Sequence, residues 1–175
     1  MFDPLKNPAY DKALKLIARR DHFRAELVEK LRRKGFDHEE IGGAMERLEG
    51  LDLLDDEALA GRFVEFRSVD RGWGPWRLAA ELKKRGVDSS LADRVSRIDD
   101  DLFAASLRTA VRRVDLRAKE GWWRLPEGRA RLVKSLIGRG FSPDVARDAI
   151  DRVAAEREKL DHETDDQPGD PGRLS

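Results

Sequence analysis

The sequence predicts an all-α protein: three tandem three-helix repeats in an elongated, curved array, followed by a disordered acidic C-terminal tail. Three observations carry this. First, three segments align on a glycine: AELVEKLRRKGF (25–36), WRLAAELKKRGV (76–87) and ARLVKSLIGRGF (130–141). Second, apolar residues recur at helical spacing, and no strand-period run of useful length appears. Third, residues 160–175, LDHETDDQPGDPGRLS, are polar, acidic and rich in glycine and proline, a composition that buries too little apolar surface to order itself.

Each aligned segment has leucines eight and four residues before its glycine: Leu27 and Leu31, Leu78 and Leu82, Leu132 and Leu136. Such an i,i+4 pair marks one helix face. Gly35, Gly86 and Gly140 then fall where a helix ends in a left-handed residue, which glycine adopts at least steric cost. These glycines lie 51 and 54 residues apart, a period that points to repeated units stacked on one another.

The flanking helices follow in order. The first repeat is expected over 10–50. It opens with a helix at 13–20 carrying Leu14, Ile17 and Ala18. It closes with one capped by Asp37 and Glu40 and carrying Ile41, Met45 and Leu48. The second repeat, 54–99, opens at Asp55 with Leu59, Phe63 and Phe66, Leu54 packing back on Leu59. It closes with Leu91, Val95 and Ile98. The third, 101–158, opens at 102–119 with Leu107, Ala110, Val111 and Val114. Its last helix starts at Ser142-Pro143 and carries Val145, Ala146, Ala149, Ile150 and Val153.

Composition narrows the function. Among 175 residues there is no cysteine, so disulfides and thiolate metal sites are excluded. No apolar run is long enough for a membrane span, and the N-terminus lacks a secretory pattern; a cytoplasmic protein is expected. The formal net charge is zero, but seven acids against three bases over 156–175 leave the preceding body at +4. A basic body with an acidic tail fits a nucleic-acid or protein partner, and equally a helical protein with a solvated end.

Catalytic motifs are missing. His38-Glu39-Glu40 is followed by Gly42 where a zinc-binding HExxH needs histidine, and Gly42-Gly43 lies within a predicted helix. Neither a phosphate-binding loop nor a GxSxG elbow occurs. The expectation is a non-enzyme with no cofactor and no metal.

Two glycine–tryptophan turns remain. Gly72-Trp73-Gly74-Pro75-Trp76 precedes the middle glycine helix, and Gly121-Trp122-Trp123 precedes the last. Tryptophan beside arginine can stack unpaired bases or anchor a protein interface; it can also cover a turn. The candidate surface comprises Trp73, Trp76, Trp122 and Trp123 with Arg71, Arg77 and Arg124, and Arg117 and Lys119 are further charges near these turns. The basic helix ends Arg32, Arg33 and Lys34, and Lys83, Lys84 and Arg85, join it, although cations there also complement the helix dipole.

The stretches Arg19-Arg20, Arg24, Glu26-Leu27, Lys30-Leu31 and Lys34-Gly35-Phe36, then Leu54-Asp55-Asp56, Phe63-Val64, Arg67, Gly72, Arg77, Glu81-Leu82 and Arg85-Gly86, resemble the RecX family of regulatory proteins. The resemblance spans about residues 13 to 155 and is strongest over 50 to 90. It implies a fold of three three-helix repeats. It also implies binding to the RecA protein and the RecA–DNA filament along its groove, with single-stranded DNA contacts within the filament, and inhibition of strand exchange and ATP hydrolysis. It adds Arg24 and Arg67 to the candidates. A monomer is expected. An autonomous helical DNA-binding module and a helical-repeat scaffold for another protein stay open as alternatives.

Overall fold

The computed structural model describes residues 7–165, with side chains to His162. Nine α-helices and one 3-10 turn occur among the described residues, with no strand. They are α1 (Pro8–Ile17), α2 (Arg24–Arg32) and α3 (His38–Gly50), then α4 (Asp56–Arg71), α5 (Pro75–Lys84) and α6 (Ser89–Val95), then α7 (Asp100–Asp115), α8 (Pro126–Ile137) and α9 (Pro143–Asp165). The 3-10 turn, Trp122–Arg124, lies between α7 and α8. Each group of three helices surrounds its own apolar core.

The glycine helices end alike. Gly35, Gly86 and Gly140 have φ of 88°, 80° and 93°. In each repeat the next residue's N–H reaches back to the second leucine of the pair: Phe36 donates to Leu31, Val87 to Leu82 and Phe141 to Leu136. This closure satisfies a carbonyl that the helix end would leave bare. All six leucines of the aligned pairs are buried. The helix starts use side chains that accept orphan N–H groups. Asp37 and Glu40 form a reciprocal capping box, Asp55 accepts from Ala58, Asp88 from Ser90 and Leu91, and Asp99 from Leu102.

Several expectations change. The first helix starts at Pro8, not Ala13, because the Asn7 side chain caps it by accepting from Ala9 and Tyr10. Its core residues are Ala9, Tyr10 and Ala13. Phe66 is 60% exposed; the buried stripe of α4 runs through Ala60, Val64 and Ser68 instead. Leu54 packs against the first core, while Leu59 packs against the second. Residues 160–165, expected in the disordered tail, continue α9 as helix. The rest of that tail, 166–175, lies outside the described residues.

The repeats interlock in series. Phe23, just before α2, is buried in the second core. At the first junction the Arg24 N–H donates to Asp56, and Gly86 lies against Ala25. At the second, α4 runs along α7. Gly72 comes so close there that a Cβ on it would lie 2.5 Å from the Ala110 nitrogen. Ser106, fully buried on α7, donates to the Trp73 carbonyl at 2.9 Å. The turn Gly72–Pro75 docks on the glycine cap of the third repeat. There the Gly74 N–H donates to the Arg139 carbonyl at 2.7 Å, and the Trp76 N–H to the Gly140 carbonyl at 3.2 Å. A Cβ on Gly74 would meet the Gly140 carbonyl oxygen at 2.6 Å. The glycines of this turn therefore serve close backbone approach between repeats.

Candidate functional site

The second junction gathers arginines from four helix ends. Arg67 and Arg71 project from the last turns of α4, Arg77 from the first turn of α5, and Arg113 from the last turn of α7. Arg117 follows α7, and Arg139 precedes the Gly140 cap. Together with Trp73 they line an open pocket of about 550 Å³. No carboxylate lines it. Among the described residues only Arg71 of these six has a carboxylate partner, Asp70 at 2.8 Å.

Local structure explains how cations of one sign are held together. Arg113 donates to the Asp70 carbonyl at 2.6 Å, and Arg139 to the Arg71 carbonyl at 2.7 Å. Those carbonyls belong to the C-terminal end of α4, where partial negative charge accumulates. Arg77 donates to the Gly138 carbonyl at 2.9 Å, at the end of α8. Arg77 and Arg67 also share the Trp73 ring, their guanidinium carbons 4.5 Å and 5.2 Å from its centroid. A guanidinium carries five N–H donors, so these contacts leave donors over. The Nε of Arg67 is buried without an acceptor. Burial, and then the like charges of Arg113, Arg117 and Arg77, press the Arg139 pKa below its ordinary value.

An apolar patch adjoins the pocket. Phe66, Val69 and Leu116 are 60%, 52% and 73% exposed. With Thr109, Arg112 and Arg113 they line a shallow depression between α4 and α7. Arg113 and Arg117 belong to both surfaces.

The sequence candidates thus divide. Arg67, Arg71, Trp73 and Arg77 converge on the pocket. Trp73 is half-buried against the second core, edge-on to Phe63 at 6.2 Å, so its ring is already occupied by protein. Trp76 stands 59% exposed at the start of α5. Trp122 and Trp123 are core residues, 4% and 8% exposed. Their indole N–H groups donate to Asp115 and Asp161, which leaves no face for stacking; Arg124 pairs with the same Asp161. Arg24 pairs with Glu49, and Arg32 and Arg33 both pair with Glu29. Lys83 pairs with Asp93, and Arg85 with Glu81 and Glu26. Lys34, just after α2, and Lys84, at the end of α5, are exposed, and neither lines the pocket.

Arg113 and Arg139 were absent from the sequence reading, and Arg117 entered it only as a charge near the tryptophan turns. Arg139 had a signal: it precedes Gly140 as Arg85 precedes Gly86. Arg113 and Arg117 are an i,i+4 pair, but nothing in sequence placed that pair opposite α4. Among the described residues no three His, Cys, Asp or Glu side chains group to hold a metal, and no helix is long and apolar enough to cross a membrane.

Comparison with known proteins agrees with this architecture. The family models for the first and second three-helix domains of RecX match residues 9–48 and 55–95. Regulatory protein RecX of Chlorobium phaeobacteroides (strain BS1) is 30% identical over 153 residues, covering 87% of this chain and 98% of that protein. Regulatory protein RecX of Mycobacterium sp. (strain KMS) is 34% identical over 157 residues, covering 86% and 85%. The crystal structure of RecX from Lactobacillus salivarius superposes with a TM-score of 0.69 at 21% identity, over 87% of this chain and 95% of that one.

Proposed function

The chain belongs to the RecX family of regulatory proteins, and on that premise we propose that it binds RecA and its nucleoprotein filament. Binding in the filament groove restrains strand exchange and ATP hydrolysis. It acts in the cytoplasm as a monomer and catalyses no reaction itself. The observation that supports this best is the α4–α7 face. Exposed Phe66, Val69 and Leu116 lie beside the pocket arginines, of which, among the described residues, Arg71 alone has a carboxylate partner. A partner that offers apolar protein surface and phosphate side by side suits both halves of that face.

The test is RecA ATPase on single-stranded DNA with this protein titrated in. Inhibition well below one protein per RecA monomer is expected, as for a ligand that acts on the filament. No inhibition at excess folded protein would overturn the reading. Binding to bare duplex with a steep salt slope would point to the DNA-binding module instead.

A further inference from the structure

We propose that the pocket between the second and third repeats is a phosphoryl-binding site, in which Arg67, Arg71, Arg77, Arg113, Arg117 and Arg139 bind phosphate oxygens without RecA's help. This deepens the reading above and rests on it only for where the phosphate is met in the cell.

The charge of the pocket is not required by the fold. The two junctions use equivalent positions, so the first is an internal control. Counting back from the glycine caps, Arg85 and Arg139 hold one slot, and Glu26 and Arg77 hold another. At the first junction that geometry yields an opposite-charge pair, Arg85 to Glu26 at 3.9 Å, with Arg20 also on Glu26 at 3.3 Å. At the second junction both slots carry arginine, and the charges of Arg77, Arg113 and Arg117 act on Arg139 unfavourably. A neutralised junction of the same shape therefore folds. The second junction instead keeps an excess of positive charge and fixes it by helix-end carbonyls and the Trp73 ring.

What would relieve that excess is an anion with several acceptor oxygens. A single carboxylate offers two oxygens and matches one guanidinium fork. A phosphate offers more oxygens and can be shared among several arginines, which is the arrangement arginine favours. The buried Nε of Arg67 has no acceptor of its own. The pocket is open to solvent and spans two repeats, so an extended phosphodiester chain can pass through it. Free nucleotide offers the same phosphoryl chemistry.

Arg117 is the residue to change, because it is exposed and, among the described residues, its side chain donates to no helix-end carbonyl, unlike those of Arg77, Arg113 and Arg139. Fluorescence anisotropy would follow a labelled twenty-nucleotide oligo-dT at low salt, without RecA. Wild type is expected to bind, and Arg117→Glu about tenfold more weakly. Lys84→Glu, an equal charge change on an exposed lysine outside the pocket, is expected to retain most of the affinity. For Arg117→Gln the log–log salt slope should fall by about 0.7, the loss of one phosphate contact on a single strand. Millimolar ATP then separates the sources. Displacement of the oligonucleotide, with an Arg117-dependent rise in melting temperature, assigns the pocket to free nucleotide phosphates. Binding of oligo-dT undisturbed by ATP assigns it to a DNA backbone. Equal binding by wild type and Arg117→Glu, or no binding of either probe, overturns the proposal. If wild type still inhibits RecA in that case, the filament reading stands while the pocket assignment fails.

Discussion

Gly86 lies so close to Ala25 across the first junction that a β-carbon on the glycine would overlap the alanine methyl. The glycine therefore answers two demands: a φ of 80° at the helix end and contact with the preceding repeat. Gly35 has the same backbone geometry, φ 88°, but open space around it. Gly35→Ala should cost about 1 kcal/mol for the left-handed backbone alone. Gly86→Ala should cost about 2–4 kcal/mol, since overpacking adds to that strain. Adding Ala25→Gly should recover part of the Gly86→Ala loss and none of the Gly35→Ala loss. Urea denaturation of the four variants checks this; equal losses at the two glycines would mean the junction is slack.

Asn7 ties the first helix to the third. Its side-chain oxygen accepts from Ala9 at 2.9 Å and Tyr10 at 3.1 Å, and its amide donates to the Glu40 carbonyl at 2.8 Å. Asn7→Ala removes a cap and the side-chain bond from Asn7 to the Glu40 carbonyl in α3, and should destabilise by about 1–2 kcal/mol. Asn7→Asp keeps the acceptor but places a carboxylate oxygen against the Glu40 carbonyl, so it should recover only part of the loss. Thermal melts of the two variants decide it. Full recovery by aspartate would show that the bond to Glu40 contributes nothing.

The repeat and its caps were legible in sequence because glycine, leucine and aspartate each have a local mechanism there. Gly35, Gly86 and Gly140 are left-handed, the six leucines are buried, and Asp37 and Asp55 cap as their spacing implied. Errors arose where tertiary partners decide. Phe66 and Val64 both fit a helical stripe through α4, but Val64 is the one buried, against Phe23 and the α5 and α6 side chains of the second core, while Phe66 stays exposed. Trp122 and Trp123 looked like a surface turn until Asp115 and Asp161, from α7 and α9, supplied acceptors for their N–H groups. The pocket was half legible. Four of its residues came from the glycine–tryptophan turn and its flanks, whereas Arg113 and Arg117 required knowing that α7 crosses α4.

His22 links stability to pH. It is 4% exposed. Its Nδ1 lies 2.8 Å from the Arg20 carbonyl, and its Nε2 lies 2.6 Å from the Lys30 ammonium. A neutral ring that donates through Nδ1 and accepts at Nε2 satisfies both. Burial, with the nearby charges of Arg20 and Lys30, lowers its pKa below the ordinary 6.5, against the raising effect of the Arg20 carbonyl. The unfolded chain then binds the proton more readily than the folded one. His22 therefore contributes fully above about pH 6.5, and its contribution is lost as pH falls through the lower folded value. The melting temperature of wild type should drop more steeply between pH 7 and pH 5 than that of His22→Gln. Parallel curves would mean that His22 is protonated equally in both states.

Trp73 and Trp76, three residues apart, should separate packing from recognition. Trp73 lies edge-on to Phe63 and carries the guanidinium groups of Arg67 and Arg77. Trp73→Ala should therefore lower stability by about 2 kcal/mol, less than a fully buried aromatic because part of the side chain still faces solvent. It should also loosen the arginine pocket, so any loss of function there follows from lost structure. Trp76 is 59% exposed, and its backbone N–H donates to the Gly140 carbonyl of the third repeat. Trp76→Ala should leave stability within about 0.5 kcal/mol of wild type. As an exposed aromatic beside the junction it is the better anchor for a protein partner, where such residues contribute most. Urea midpoints and RecA ATPase inhibition, measured on both variants, separate the roles. A stable Trp76→Ala protein that inhibits as well as wild type would remove Trp76 from the interface, and an unchanged midpoint for Trp73→Ala would remove Trp73 from the core.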